Sequence, residues 1–368
     1  MTRATTLSFR PASLPTRERG RGARSNDSGR FESENREEID DGWREDVPEP
    51  VKTSVTLETP RKIVTFNKSP YVGFDRSINP YRGCEHGCVY CFARPTHAYM
   101  GLSPGLDFET KLFAKPEAAK LLEKELSNPN YKVRAIAIGT NTDAYQPIER
   151  QFLVMRHILQ TLSLFNHPVS ILTKSDLIIR DLDILGPMGA KNLTRCMISI
   201  TTEDRKLARA MEPRASTPAR RFEALRRLVG EGITTGIMTG PMVPGLNDPE
   251  MESIIEQAAE IGATYATYTI LRLPYEISQL WQEWLEAFAP DRAKRVMRHI
   301  REMNGGRDYD PEWARGAEVK GTYAKLMMQR FRKVTDRLGL NTGRDRLPLD
   351  TSQFRVPSKI SGQQDLFG

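Results

Sequence analysis

Between about residues 56 and 274, short apolar blocks alternate with longer amphipathic ones, and outside that region the alternation stops. The blocks "VRAIAIG" (133–139), "PVSILTK" (168–174), "TRCMISIT" (194–201), "ITTGIMTGPM" (233–242) and "TYATYTILRLP" (264–274) are rich in β-branched residues. They predict buried strands. "SINPYRG" (77–83) supplies a shorter extended segment before them. Helical periodicity fills the gaps at 116–126, 148–165, 176–190, 219–232 and 250–262. Pro116 fits a first-turn position, Thr217 and Pro218 fit N-cap and N1, and Asp248 with Pro249 starts the next helix.

Strands and helices alternating at this length predict an α/β fold with a parallel sheet and right-handed crossovers. Six units from about Ser77 to Pro274 predict a partial (βα)6 TIM-like barrel, since eight units need more chain. After Pro274 only helices follow, at 275–289, 291–303 and 320–338. The expected division is a disordered tail over 1–55, the barrel over 56–274, a helical extension over 275–341 and a flexible tail over 342–368.

The formal charge is +7, and much of the excess lies late, in residues such as Arg292, Lys294, Arg295, Arg298 and Arg301. That suits a polyanionic partner such as nucleic acid; solvated helix faces are the plain alternative. No apolar run is long enough to span a bilayer, so the expectation is a soluble, cytoplasmic protein. Three of the four cysteines fall within eight residues. That pattern is no disulfide framework; in a reducing compartment it marks a metal or catalytic site.

The crowded stretch is "YRGCEHGCVYC", with Cys84, Cys88 and Cys91 spaced C-x3-C-x2-C. Three thiolates on a tight loop can hold three irons of a four-iron four-sulfur cluster and leave the fourth iron open. An open metal position is a place for chemistry. Gly83 and Gly87 let the backbone approach closely. The alternative is zinc with His86 or His97 as fourth ligand, but the second downstream ligand pair of such sites is missing.

"CEHGCVYC" at the opening of a partial barrel resembles the radical S-adenosylmethionine (SAM) superfamily. "YRGCEHGCVYCFARPTH", "GTNTDAYQPIER", "ILTKS" and "SITTEDRKLARAMEPRASTPARR" resemble its spore photoproduct lyase-like branch, also labelled DNA repair photolyase-like. The resemblance implies that Cys84, Cys88 and Cys91 hold the cluster and that the open iron chelates S-adenosylmethionine. One electron from an external donor then yields methionine and a 5′-deoxyadenosyl radical. It places Thr140, Asn141, Thr142 and Asp143 at the methionine amino group and Lys174 at the carboxylate.

Strand alternation puts Met197, Ser199 and Thr201 on one face and Cys196, Ile198 and Ile200 on the other. If the first face is interior, the resemblance assigns Ser199 to a ribose hydroxyl, beside Thr201, and Cys196 is a packing residue. Spore photoproduct lyase uses a cysteine near the second strand end as hydrogen donor, whereas "GTNTD" has none. The lyase reaction itself is therefore not implied. Glu212 and Arg214 are expected to reach the cofactor or a phosphate, or else to form a loop salt bridge. Tyr99, Tyr145, Tyr268 and Tyr275 are expected to line a substrate pocket or relay a hydrogen atom, or else to be core aromatics. At the end of the chain, Gln363, Asp365, Leu366 and Phe367 of "QQDLF" resemble the peptide that DNA-processing proteins insert into a sliding clamp.

These readings converge on a radical enzyme acting on nucleic acid, in the manner of DNA repair. The alternatives are the same chemistry on RNA, peptide or a small molecule, and a non-catalytic iron–sulfur or zinc protein that binds DNA.

Overall fold

The computed structural model describes residues 20–32, 51–67, 73–312, 321–343 and 348–357. Strands β1 (Ser54–Leu57), β2 (Val64–Phe66) and β3 (Arg76–Ile78) come first, and β4 (Tyr81–Arg82) leads into the cysteine loop. Helix α1 (Asp107–Thr110), β5 (Lys111–Ala114) and α2 (Ala118–Leu126) then reach β6 (Ile136–Ile138). Next come α3 (Glu149–Phe152), α4 (Val154–Leu164), β7 (Val169–Thr173), α5 (Leu182–Ala190) and β8 (Thr194–Ser199). They are followed by α6 (Arg205–Met211), α7 (Pro218–Gly230), β9 (Thr234–Met242), α8 (Met251–Ile261) and β10 (Tyr265–Ile270). Helices α9 (Ile277–Phe288), α10 (Pro290–Met303) and α11 (Thr322–Arg337) form the C-terminal extension.

Strands β3, β6, β7, β8, β9 and β10 are parallel neighbours in that order. β2 adds antiparallel to β3, and β10 ends the other edge, so the arc is open. This is the expected six-unit partial barrel. Strands β1 and β4 flank β5 in a second small sheet. These three strands and β2 are too short to show a period, which is why the sequence pattern does not reveal them.

Ile138, Ile171, Cys196 and Ile198 share one apolar cluster with Leu122, Leu126, Ile158, Leu162, Leu225 and Ile254 of the surrounding helices. Burying each large aliphatic side chain stabilises the fold by about 1.5–3 kcal/mol. Cys196 is thus a packing residue, as strand parity predicts. A second cluster joins Cys88, Val89 and Tyr90 to Leu207 and Met211 of α6, Trp281 and Trp284 of α9, and Val296, Met297 and Ile300 of α10. The helical extension therefore shares its core with the cysteine loop.

Three expectations change. The helix over 148–165 is two helices, broken at Leu153 with φ 54°. The buried Glu149 carboxylate causes the break by accepting the N–H groups of Met155 (3.0 Å) and Arg156 (3.3 Å), capping the second helix from inside. Second, 1–55 is not disordered throughout. Within 20–32, Arg21, Gly22, Ala23 and Ser25 are buried, and β1 begins at Ser54. Third, part of the tail over 342–368 is docked: Leu349 is buried, and Phe354 packs on Tyr131, Phe165 and His167. Gln363, Asp365, Leu366 and Phe367 lie outside the described residues.

Candidate active site

The cysteine loop turns on Gly83 and Gly87, both at positive φ (73° and 66°). A Cβ on Gly83 would meet Leu112 at 2.6 Å and the Phe108 carbonyl at 2.9 Å, so the turn requires glycine. Buried polar side chains hold the rest of its shape. Gln146 donates to the Gly83 carbonyl (3.1 Å) and accepts from the Glu85 N–H (2.8 Å). Arg94, fully buried, donates to the carbonyls of Cys88 (2.9 Å), Gly87 (3.2 Å), Pro104 (3.0 Å) and Gly105 (2.9 Å), and pairs with Glu109. The same Glu109 carboxylate accepts the N–H groups of Gly22 (2.9 Å) and Ala23 (2.8 Å). The 20–32 segment is thereby strapped to the loop.

A second network lies at the C-terminal strand ends, where barrel enzymes carry their chemistry. Glu212 is its hub. It accepts hydrogen bonds from the Tyr90 hydroxyl and from Thr201 Oγ1 (2.6 Å), and it pairs with the buried Arg221. Arg221 also donates to the Ser199 carbonyl (3.0 Å) and the Ser216 carbonyl (2.7 Å). Lys174, at the end of β7, has its Nζ 5.9 Å from the Tyr90 ring centroid. Ser199 is fully buried, and its Oγ has no hydrogen-bond partner among the described residues. Asn247 ties this end of β9 to β8 by donating to the carbonyls of Thr201 (2.7 Å) and Pro241 (3.0 Å).

The charges here are set by their surroundings. Burial works against the Glu212 carboxylate, but Arg221 and Lys174 overcome it and hold its pKa down to about 2. Burial likewise opposes the Lys174 ammonium, and its interaction with Cys88 and Glu212 more than offsets it, so its pKa lies above the ordinary value. Burial, reinforced by Glu212, pushes the Cys88 thiol up to about 12. Burial and Asp143 push Cys84 up as well. Ligation by a metal must therefore displace protons from these thiols.

The residues fit an iron–sulfur cluster better than a single zinc ion. His86 Nδ1 faces Asp143 at 3.4 Å, and His97 Nε2 lies 3.0 Å from the Lys111 carbonyl, between Phe108 and Phe113. Each imidazole thus has one ring nitrogen engaged by the scaffold. A glycine-shaped loop with three thiols, near a lysine and an unpaired buried hydroxyl, suits a cluster with an open iron and a polar ligand.

The sequence profile of the radical SAM superfamily matches residues 78–258, from β3 into α8. The chain belongs to the radical SAM superfamily. It is a radical SAM enzyme, and the family's cofactors are a four-iron four-sulfur cluster and S-adenosylmethionine. An uncharacterized protein of Mycobacterium bovis is 30% identical over 286 residues, 77% of this chain and 80% of that one. One of Methanocaldococcus jannaschii is 29% identical over 184 residues, 50% of this chain and 66% of that one. Among solved structures, a mutant of spore photoproduct lyase is similar, with a TM-score of 0.54 and 14% identity. That match spans 78% of this chain and 80% of the other, and at this identity the likeness is one of fold.

The fold brings most of the expected residues to one end of the barrel, in differing roles. Thr142 Oγ1 donates to the Tyr81 carbonyl (3.1 Å). Asp143 accepts from Thr173 Oγ1 (2.7 Å) and from the N–H groups of Lys174 (2.8 Å) and Tyr145 (2.9 Å). Both side chains are engaged by the scaffold, whereas Thr140 and Asn141 stay half-buried beside them. Arg214 forms the loop salt bridge, to Glu85 at 3.0 Å. Tyr268 packs on Phe331 of α11, so it is a core aromatic. Sequence reasoning missed Arg94, Glu109, Gln146 and Arg221. Their only sequence signal is a charged or amide residue within an otherwise ordinary segment.

Proposed function

We propose that the enzyme uses its radical on nucleic acid, with damaged DNA as the substrate, in a cytoplasmic repair role. When bound, the cluster and S-adenosylmethionine supply a 5′-deoxyadenosyl radical once an external donor has delivered one electron. Cys84, Cys88 and Cys91 would hold the cluster. Lys174 would take the cofactor carboxylate, and Thr140 and Asn141, half-buried in the 140–143 loop, its amino group. Ser199, whose hydroxyl has no partner among the described residues, would take the ribose. Thr201 and Tyr90 orient Glu212, whose fixed negative charge balances Lys174 and Arg221. The enclosing loops exclude water from the reacting end of the barrel.

The observation that carries the nucleic-acid reading is the outer face of α10. Arg292, Lys294, Arg295 and Arg298 are exposed there and form no ion pair among the described residues. Arg295 lies beside Gly245 in the loop that follows β9, at the barrel mouth. A phosphodiester backbone is the partner such a row attracts. The clamp-like "QQDLF" peptide supports the same reading. Without the lyase's cysteine, the final hydrogen atom must come from another source.

The test is anaerobic cluster reconstitution, reduction and measurement of 5′-deoxyadenosine with and without irradiated DNA. We expect formation that rises with the damaged DNA, and Cys88→Ala should load no cluster. Absence of 5′-deoxyadenosine overturns the catalytic reading, and formation indifferent to the irradiated DNA overturns the substrate.

A further inference from the structure

Phe31, Tyr99 and Tyr275 are 58%, 71% and 68% exposed, yet they are not scattered. All three surround one guanidinium. Arg30 lies 4.9 Å from the Phe31 centroid, 5.4 Å from Tyr99 and 4.0 Å from Tyr275, while Phe31 and Tyr99 are 5.0 Å apart. Glu276 fixes Arg30 through contacts of 2.9 and 3.1 Å. A shared aromatic surface left to water marks a place for a ligand.

The backbone supports this. Tyr275 has φ 54°, a region in which stability favours glycine. Its ring is turned into solvent, so burial does not offset that strain. Strained residues of this kind collect at ligand clamps.

The patch borders the cysteine loop. Tyr99 sits on the turn Arg94–Met100 that leaves it, and Phe92, directly after Cys91, is 61% exposed. Leu273, two residues before Tyr275, shares an apolar cluster with Val89 and Tyr90.

We propose that Phe31, Tyr99 and Tyr275, with Arg30 at their centre, form a stacking platform for unpaired nucleobases next to the radical source. This rests on the nucleic-acid substrate proposed above. A base can stack on rings and guanidinium while its edges stay hydrated. An apolar peptide seated there would instead have to desolvate the Arg30–Glu276 pair, which is costly.

The experiment is fluorescence anisotropy of the full chain with labelled oligothymidylate, with an abasic strand of equal length and with a duplex. We expect tighter binding of oligothymidylate than of the abasic strand. Tyr99→Ala and Tyr275→Ala should each weaken it about 5- to 100-fold and leave abasic binding unchanged. Tyr275→Phe should retain wild-type affinity. All these rings are exposed, so an unchanged melting temperature checks that the variants fold. If alanine variants bind oligothymidylate like wild type, or wild type does not distinguish it from the abasic strand, the platform is overturned and the substrate reading stands. If wild type binds none of the three nucleic acids, both fall.

Discussion

Arg94 with Glu109, and Arg221 with Glu212, are two buried ion pairs close to the cysteine loop; both arginines also donate to carbonyls, but the remaining partners of the two carboxylates differ in kind. The first pair is completed by backbone alone: carbonyls around Arg94, N–H groups of Gly22 and Ala23 around Glu109. Glu212 is completed by side chains from separate segments, Tyr90 and Thr201, in the field of Lys174. Backbone partners are fixed once the chain has folded, and such a pair sets a shape. Side-chain partners can re-form around a ligand, and such a pair sets a field. The partners, more than the burial, distinguish scaffold from site.

The contrast breaks most visibly on truncation. Arg94→Met leaves Glu109 buried without its cation and should cost about 3–5 kcal/mol, read as a fall in melting temperature and in iron uptake. Arg221→Met should cost about as much by stranding Glu212. The double variants separate the two. Adding Glu212→Gln should recover more of the loss than adding Glu109→Gln, because Arg94→Met strands four carbonyls and Arg221→Met only two. Equal recovery would erase the distinction.

Acid should act on the scaffold before the mouth. Burial holds both His97 and His167 at about 4, below the ordinary histidine value of 6.5. Neutral His167 is matched to its neighbours, Nδ1 donating to the Pro168 carbonyl (2.9 Å) and Nε2 accepting from Tyr131 (2.8 Å). Their contribution is complete above pH 6.5. It is lost as pH falls towards 4, because only the unfolded chain takes up the protons. The loss should be on the order of 3 kcal/mol for each histidine. Chemical denaturation across this range should show it, and His167→Gln should flatten the slope.

Smaller effects belong to the mouth. Lys174→Met should weaken S-adenosylmethionine binding about 10- to 100-fold, measured by calorimetry on the reconstituted protein. Ser199→Ala should change stability by less than about 1 kcal/mol, since the hydroxyl has no partner to lose, while reducing cofactor affinity several-fold. A large stability loss in Ser199→Ala would mean the hydroxyl serves the fold.

The barrel and the cluster loop were legible because their signals are local. A buried strand shows itself in a few apolar letters, and three cysteines show themselves by spacing. The strand-end residues Lys174 and Ser199 followed from where strands stop. Arg94, Glu109 and Arg221 were not legible, because a buried charge looks like a surface one until its distant partner is known. The break at Leu153 hid for a related reason: Glu149 reads as a helix former, and only the tertiary position of its carboxylate makes it a cap. In 20–32 the polar letters read as disorder, although Asp107 and Glu109 receive them.

That strap has a consequence for assembly. Its seats lie far along the chain: Gly22 meets Glu109 at a separation of 87 residues, and Ser25 meets Glu283 at 258. Residues 20–32 leave the ribosome before either seat exists, and contacts of such long range form late. The strap is synthesised early, and its contacts can close only after the chain has been made as far as Glu283.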